Sequence, residues 1–477
     1  MTWHGSYREQ VLAPDYRFAS TYLKPHFLHA LTAHVRTVKR LPEMAGHGPD
    51  IGRLEAALVA LHARPAPAYD AGVPDLYFAV NRELERTLGT ATVSFLRLGL
   101  SRNDLDMTVY KMRARELLLE LADSTLTLQG TLLAQAEAHV HTVLIAHTHH
   151  QPGQPTTLAH YLLAIGNGIG RSMERLLTAY DRLNECPLGA AALAGSSWPL
   201  DRTFIAQTLG FREPVGNTYD AVAASDWQID LVSVAQQVAL TLSRFVCDLL
   251  GWASAGLYRL GDGLVQGSSI MPQKRNPVAL EHARTRFSRA LGASQMVVFS
   301  SHNIPFGDLN DFGPDIQGAL QTLFLQLHGG LELLSASVAS GSFDQSTLTR
   351  LAFESDTTAT ELADELVRLH GLAFQDAHRL VARLVTAMAE QGRPLRDTTP
   401  ADLTSLGGPD LRAEDLANAL DPLAFIERRR GLGGPAPEAV YSQLEAAQRT
   451  LERHQGAASE LRAGLERVNA QLNQEEA

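Results

Sequence analysis

Apolar residues in this chain recur every three or four positions over unusually long stretches. Leu231, Val234, Val238, Leu242, Phe245 and Leu249 draw one stripe over about five helical turns, within a proline-free run from about 217 to 257. Runs at 107–146, 156–184, 277–301 and 314–340 behave the same way. Long helices with few caps predict a bundle, and the lack of sustained strict heptads argues against a two-stranded coiled coil. Shorter helices are predicted up to residue 108, with turns at 42–50 and 65–74. They return after 353, where Gly371, Gly392-Arg393-Pro394 and Gly407-Gly408-Pro409 break the pattern. A charged helix then runs from Glu438 toward an end, Asn473 to Ala477, expected to fray. The expectation is an all-α protein of three helical domains, 1–108, 109–353 and 354–477, the middle one a bundle of long helices.

At 477 residues the chain has room for about three domains, and its 45% hydrophobic and 19% charged residues are ordinary for a globular protein. The formal net charge of -11 removes the basic footprint that non-specific nucleic-acid binding needs, while leaving the charge of any one pocket open. Cys186 and Cys247 are too few for a disulfide framework or a zinc cluster, which predicts a reduced, intracellular setting. The segment from Met1 to Arg8 lacks the apolar core of a signal peptide. No uninterrupted apolar run reaches the roughly eighteen residues of a membrane span. A cytoplasmic protein with neither membrane nor nucleic-acid partner is expected.

Against this apolar background one loop stands out: Gly267-Ser268-Ser269-Ile270-Met271-Pro272-Gln273-Lys274-Arg275-Asn276-Pro277. It gathers two hydroxyls, an amine, a guanidinium and two amides. Gly267 permits backbone angles closed to other residues, and Asn276-Pro277 predicts a helix cap followed by a proline at the first helical position. A helix N-terminus there favours an anion. A merely solvated loop is the plain alternative. Four further stretches are polar. In Ser101-Arg102-Asn103-Asp104, Asn103 or Asp104 reads as the cap of a long helix. Between two long runs, His147, Thr148, His149, His150 and Gln151 follow His141. Residues 187–197 are small enough for a backbone to approach a ligand. Asn217 and Asp220 read as cap and first-turn acid of the longest helix.

The histidines have neither helical His-x3-His spacing nor interleaved carboxylates, so no metal is expected. His160 reads as packed or exposed without a role. Gly166-Asn167-Gly168-Ile169-Gly170 lies inside a helical pattern with no strand before it, which removes a dinucleotide reading. Arg428-Arg429-Arg430 reads as a solvated basic turn.

The arrangement Gly-Ser-Ser-x-Met-Pro-x-Lys-x-Asn resembles the signature loop of the fumarase/aspartase superfamily. The remaining stretches are similar, in order and along almost the whole chain, to signature regions of its argininosuccinate lyases. Ser101-Arg102-Asn103-Asp104 keeps that family's Ser-Arg-Asn-Asp, and Thr148-His149-His150-Gln151 is similar to its Thr-His-Leu-Gln. Pro187-Leu188-Gly189 with Ala192-Leu193-Ala194-Gly195, Asn217 with Asp220-Ala221-Val222, and Ala436-Pro437-Glu438 resemble three more. Trp3-His4-Gly5-Ser6-Tyr7 is a degraded form of the family's opening. The sequence departs from the pattern at Phe95 to Leu100, where the family has His-Thr-Gly. It departs again at Asp308, Gly313 and Ile316, which stand where the family's tyrosine, glutamine and lysine hold the arginine half of the substrate.

The resemblance implies a three-domain helical fold and a cofactor-independent β-elimination from an N-succinyl unit, releasing fumarate. The intermediate is a doubly negative aci-carboxylate, and donors aimed at such a growing charge are each worth about 3–4 kcal/mol. Ser268 is implied as the base, its anion held by the loop, with Lys274 and Asn276 stabilising the intermediate. Thr148 and His149 are implied to bind substrate and to assist protonation of the leaving nitrogen. Ser101, Arg102 and Asn103 are implied to hold a carboxylate, with Ser269, Met271, Gln273, Gln151, Asn217 and Asp220 completing the binding site. A small-molecule dicarboxylate substrate and a homotetramer, each site drawing on three chains, also follow from the resemblance. Argininosuccinate is the default substrate. The alternatives are a lyase for another succinate derivative, an aminopolycarboxylate or nitrosuccinate, or a non-catalytic structural relative, against which the intact Ser268, Lys274, Asn276, Thr148 and His149 speak. A metal-dependent hydrolase using the histidines would be separated by metal analysis.

Overall fold

The computed structural model describes residues 3–474 and is 71% helical. Six long helices build its body: α1 Arg102–Ala138, α2 Leu158–Leu183, α3 Asp226–Ser254, α4 Val278–Ser300, α5 Pro314–Ser340 and α6 Pro437–Leu472. They run alternately up and down between two ends of the bundle. At the end where α1 starts, the Gln228 side-chain amide near the start of α3 donates to the Phe312 carbonyl just before α5, at 2.8 Å. At the opposite end, Tyr161 near the start of α2 packs edge-on against Trp252 near the end of α3. Halfway along, the Gln236 amide donates to Ser294 Oγ at 2.9 Å, joining α3 to α4.

The stripe read from α3 is its buried face: Leu231, Val234, Val238, Leu242, Phe245 and Leu249 are all buried. By length and composition alone α3 could cross a membrane, with an 18-residue window of mean hydropathy 1.2. Half of that window is buried inside the chain. The helix opens at Asp226 rather than at Asn217. A separate short helix, Thr218–Ala223, comes first, and Ala224 is extended, so the two cannot join.

One buried core extends through the N-terminal helices, α1 to α5 and α6, and a second joins Leu362 to Leu420. The pattern groups the chain from Glu438 onward with residues 354–477, yet Val440, Leu451, Ala458 and Leu472 of α6 pack into the first core. Its end is held in place: the His29 ring hydrogen-bonds Asn473 at 3.1 Å, and Arg36 donates to the Gln474 carbonyl. Glu475 to Ala477, also expected to fray, lie outside the described residues. The Arg428-Arg429-Arg430 run is not a solvated turn. Arg428 and Arg429 pair with buried Glu361 at 2.8 and 2.9 Å, and Arg428 also reaches Glu365 at 2.8 Å.

Among the described residues, four two-stranded pairings interrupt the helices, and two of them carry sequence motifs. Strands β1 Val143–Thr148 and β2 Gln151–Thr157 form an antiparallel hairpin between α1 and α2. Helical periodicity predicts a run to Ala146, eight residues past the end of α1 at Ala138. The hairpin is rooted by Val143 and Ile145 against Ala352 and Ile426. His160 braces it, bonded to Thr156 at 2.8 Å and to the Gly433 carbonyl at 2.9 Å.

Candidate functional site

Two groups of polar side chains form, one at each end of the bundle. At the first, Ser101 caps α1: its Oγ accepts from the Asn103 N–H, and the Ser101 N–H donates to Asp104 at 3.0 Å. The sequence pattern offers Asn103 or Asp104 for that position, two or three residues further on. Asp104 is instead the third residue of a capping box, and it does more. Its second carboxylate oxygen accepts from the Gly189 and Ala191 N–H groups at 2.8 and 2.9 Å, which fastens the small-residue 187–197 stretch to the start of α1. Asn103 donates to Asp308. Asn217 caps the short helix, accepting from the Tyr219 and Asp220 N–H groups at 2.8 and 3.2 Å. Tyr219 reaches the Phe306 carbonyl at 3.0 Å and stacks on the Phe306 ring. Residues 101–104, 189–191, 217–220 and 306–308 therefore meet within one chain.

Asp104 is completely buried, so its removal leaves three N–H groups without their acceptor. Each such loss costs about 1–3 kcal/mol. Asp104→Ala is expected to lower unfolding stability in urea by about 3 kcal/mol or more; a loss under about 1 kcal/mol would show that the clamp is dispensable.

Arg102 has a different surrounding from the one expected. Its guanidinium pairs with Asp106 at 2.8 Å, one turn along α1, and with Asp75, and it lies over the Tyr77 ring. Two carboxylates of its own chain already occupy it.

The second group lies at the other end. Thr148 and Gln151 close the hairpin, and His149 and His150 form its two-residue turn with φ of 53° and 61°. A turn with both central residues left-handed favours Asn-Gly. Two histidines hold it at a cost on the order of 1 kcal/mol each, and all four residues are exposed. The polar loop is closed by a two-residue ladder, Gln266 with Asn276 and Gly267 with Arg275. Asn276 is thus extended, the cap position falls to Pro277, and α4 starts at Val278. Arg275 anchors the loop on the Leu260 carbonyl at 3.1 Å and Asp262 at 2.6 Å. At the tip, half-buried Ser268 accepts from the Ile270 and Met271 N–H groups at 3.3 and 3.1 Å. Two donors on one hydroxyl oxygen favour its anion. Ser269, Met271, Gln273 and Lys274 are exposed around it.

The two groups do not meet within a chain. The 37 residues of α1 at 1.5 Å rise separate Ser101 from the hairpin by about 55 Å. The 23 residues of α4 separate the polar loop from the 306–308 segment by about 34 Å. Among the described residues, no group of three or more His, Cys, Asp or Glu side chains is placed to hold a metal.

Residues 62–292 match the family model described as Lyase, and residues 356–427 match that described as Argininosuccinate lyase C-terminal. The argininosuccinate lyase of Methanoculleus marisnigri is 36% identical over 423 residues, covering 86% of this chain and 85% of the relative. Argininosuccinate lyase 2 of Agrobacterium fabrum is 31% identical over 451 residues, covering 92% and 89%. Among solved structures, a variant EDDS lyase with bound fumarate superposes with a TM-score of 0.86 at 26% identity, covering 99% of this chain and 95% of that one. A class II fumarase from Schistosoma mansoni shares the fold at a TM-score of 0.70 and 16% identity, over 84% and 90% of the two chains.

Proposed function

Because this chain belongs to the argininosuccinate lyase family of the fumarase/aspartase superfamily and is a fumarate-releasing carbon–nitrogen lyase, we propose that its active site is completed between copies. The observation that carries this reading is the separation of about 55 Å along α1, which keeps Ser101 and Asn103 from Thr148 and His149 of the same chain. Packing of bundles side by side, in opposite directions, brings one end against the other. The assembly is a homotetramer. Leu240 on α3, Phe299 on α4 and Leu325 on α5 are more than half exposed in the single chain, and an assembly of bundles covers them.

In that site Ser268 is the base. Its alkoxide is held by the Ile270 and Met271 N–H groups and removes a proton from the carbon beside a carboxylate of an N-succinyl substrate. Lys274 and Asn276 stabilise the aci-carboxylate that results. Thr148 and His149 bind the substrate and assist proton delivery to the leaving nitrogen as the carbon–nitrogen bond breaks, yielding fumarate and an amine. Asn103, on the capped start of α1, binds from a different chain, with Ser101 and Asp104 fixing its position. Arg102 holds the Asp75–Asp106 framework rather than the substrate. The substrate is a small dicarboxylate, and the free thiols Cys186 and Cys247 suit the reducing cytoplasm.

Light scattering on the active protein is expected to give the mass of four chains, with specific activity falling on dilution into the dissociating range. A fully active monomer would overturn the shared site.

A further inference from the structure

At the end where α1 starts, a cavity of 710 Å³ opens between the N-terminal segment, α1 and the 308–318 stretch. Six aspartates line it: Asp15, Asp75, Asp106, Asp308, Asp311 and Asp315. Arg102 is the one cation among the lining residues, and its guanidinium is committed to Asp106 and Asp75. Asp308 accepts from the uncharged amide of Asn103, with Arg102 the cation near it. Burial, followed by the nearby Asp315, pushes the Asp15 carboxyl up to about 6, and burial followed by Asp311 raises Asp315. Six aspartates against one arginine leave the cavity with crowded negative charge that its own chain compensates only in part.

A separate observation points to a ligand. Tyr110 is only 5% exposed and lines the cavity among Asp15, Asp106 and Asp308, yet its hydroxyl makes no hydrogen bond to any described residue. A hydroxyl at the end of a buried side chain, opening on the cavity without a partner in its own chain, is placed to bond an occupant. Leu12, Phe27 and Met107 add an apolar wall.

We propose that this cavity receives the departing amine, and that this amine carries two or more ammonium groups on an aliphatic chain, a diamine or polyamine. The inference rests on the lyase reading and names the class of its leaving group. Ammonium groups answer the aspartates, Tyr110 accepts an N–H, and the methylenes lie on the apolar wall. An amino-acid leaving group such as arginine would instead bring its own carboxylate into a cavity with no unpaired cation. Asp308, bonded to Asn103, joins the cavity to the succinyl-binding end of the site.

The reverse reaction tests this. The amine lone pair attacks fumarate, a carbon–nitrogen bond forms, and a proton returns to the adjacent carbon, with no change of oxidation state overall. Fumarate loss would be followed with 1,4-diaminobutane, spermidine, butylamine and arginine. In parallel, thermal melts would be recorded with fumarate and 1,4-diaminobutane. The diamine is expected to exceed butylamine and arginine at least tenfold in kcat/KM, and Asp15→Asn or Asp315→Asn is expected to erase most of that preference through KM. Turnover of arginine or butylamine without a diamine preference would overturn the cavity assignment and leave the lyase reading standing. Thermal stabilisation by the diamine that is lost in Asp15→Asn, with no amine consumed, would support the cavity and count against the lyase reading. Neither turnover nor stabilisation would overturn both.

Discussion

Replacing Ser268 by alanine is expected to slow fumarate release on the order of 10³-fold, because a positioned general base contributes typically 10²–10⁴. The loss should fall on kcat, since the hydroxyl takes part in proton removal more than in binding. The fold should persist. Ser268 sits on an exposed tip, and the Ile270 and Met271 N–H groups that it now accepts from can turn to water. Ultraviolet absorbance of fumarate reports the rate, and circular dichroism with light scattering reports fold and mass. Retention of more than about a tenth of the activity would remove this serine from the role of base.

Mixing two dead variants should restore turnover. Ser268→Ala and Asn103→Ala each remove one group of the proposed site, and the lengths of α1 and α4 keep these two segments of one chain at opposite ends of the bundle. If subunits of the two variants redistribute at random, about a quarter of the sites receive both residues intact, so activity climbs from background toward that fraction of wild type. Were both residues drawn from the same chain, every site would carry one lesion and the mixture would stay inactive. Recovery after reversible dissociation, measured against each variant treated alone, decides between these arrangements.

Much of this molecule could be read from spacing. The buried stripe of α3 and the limits of α2, α4 and α5 follow the three-to-four repeat within a few residues, because long amphipathic helices leave the strongest periodic signal. The hairpin was hidden. Its strands contain Pro152, Gly153 and Pro155, and a register shift at Ala146/His147 spoils the alternation that marks a strand. Two histidines occupy a turn that usually announces itself as Asn-Gly. Helix starts moved by a few residues wherever a neighbour in space, not in sequence, set the backbone. Asn276 is extended because Gln266 pairs with it. The role of Asp104 depends on Gly189 and Ala191, some 85 positions away, and the crowding of Asp15 with Asp315 depends on a separation of 300. Only the fold brings those charges together.

The return of α6 to the first core has a consequence for how the molecule comes into being. Leu451, Ala458 and Leu472 cover apolar surface laid down by much earlier helices, and Asn473 and Gln474 meet His29 and Arg36. A ribosome delivers these covering residues after the helices they cover, so a nascent chain carries an open hydrophobic flank until α6 emerges. Premature termination anywhere before residue 437 would leave that flank bare for good. Exposed apolar surface of that kind makes an interrupted chain prone to aggregate.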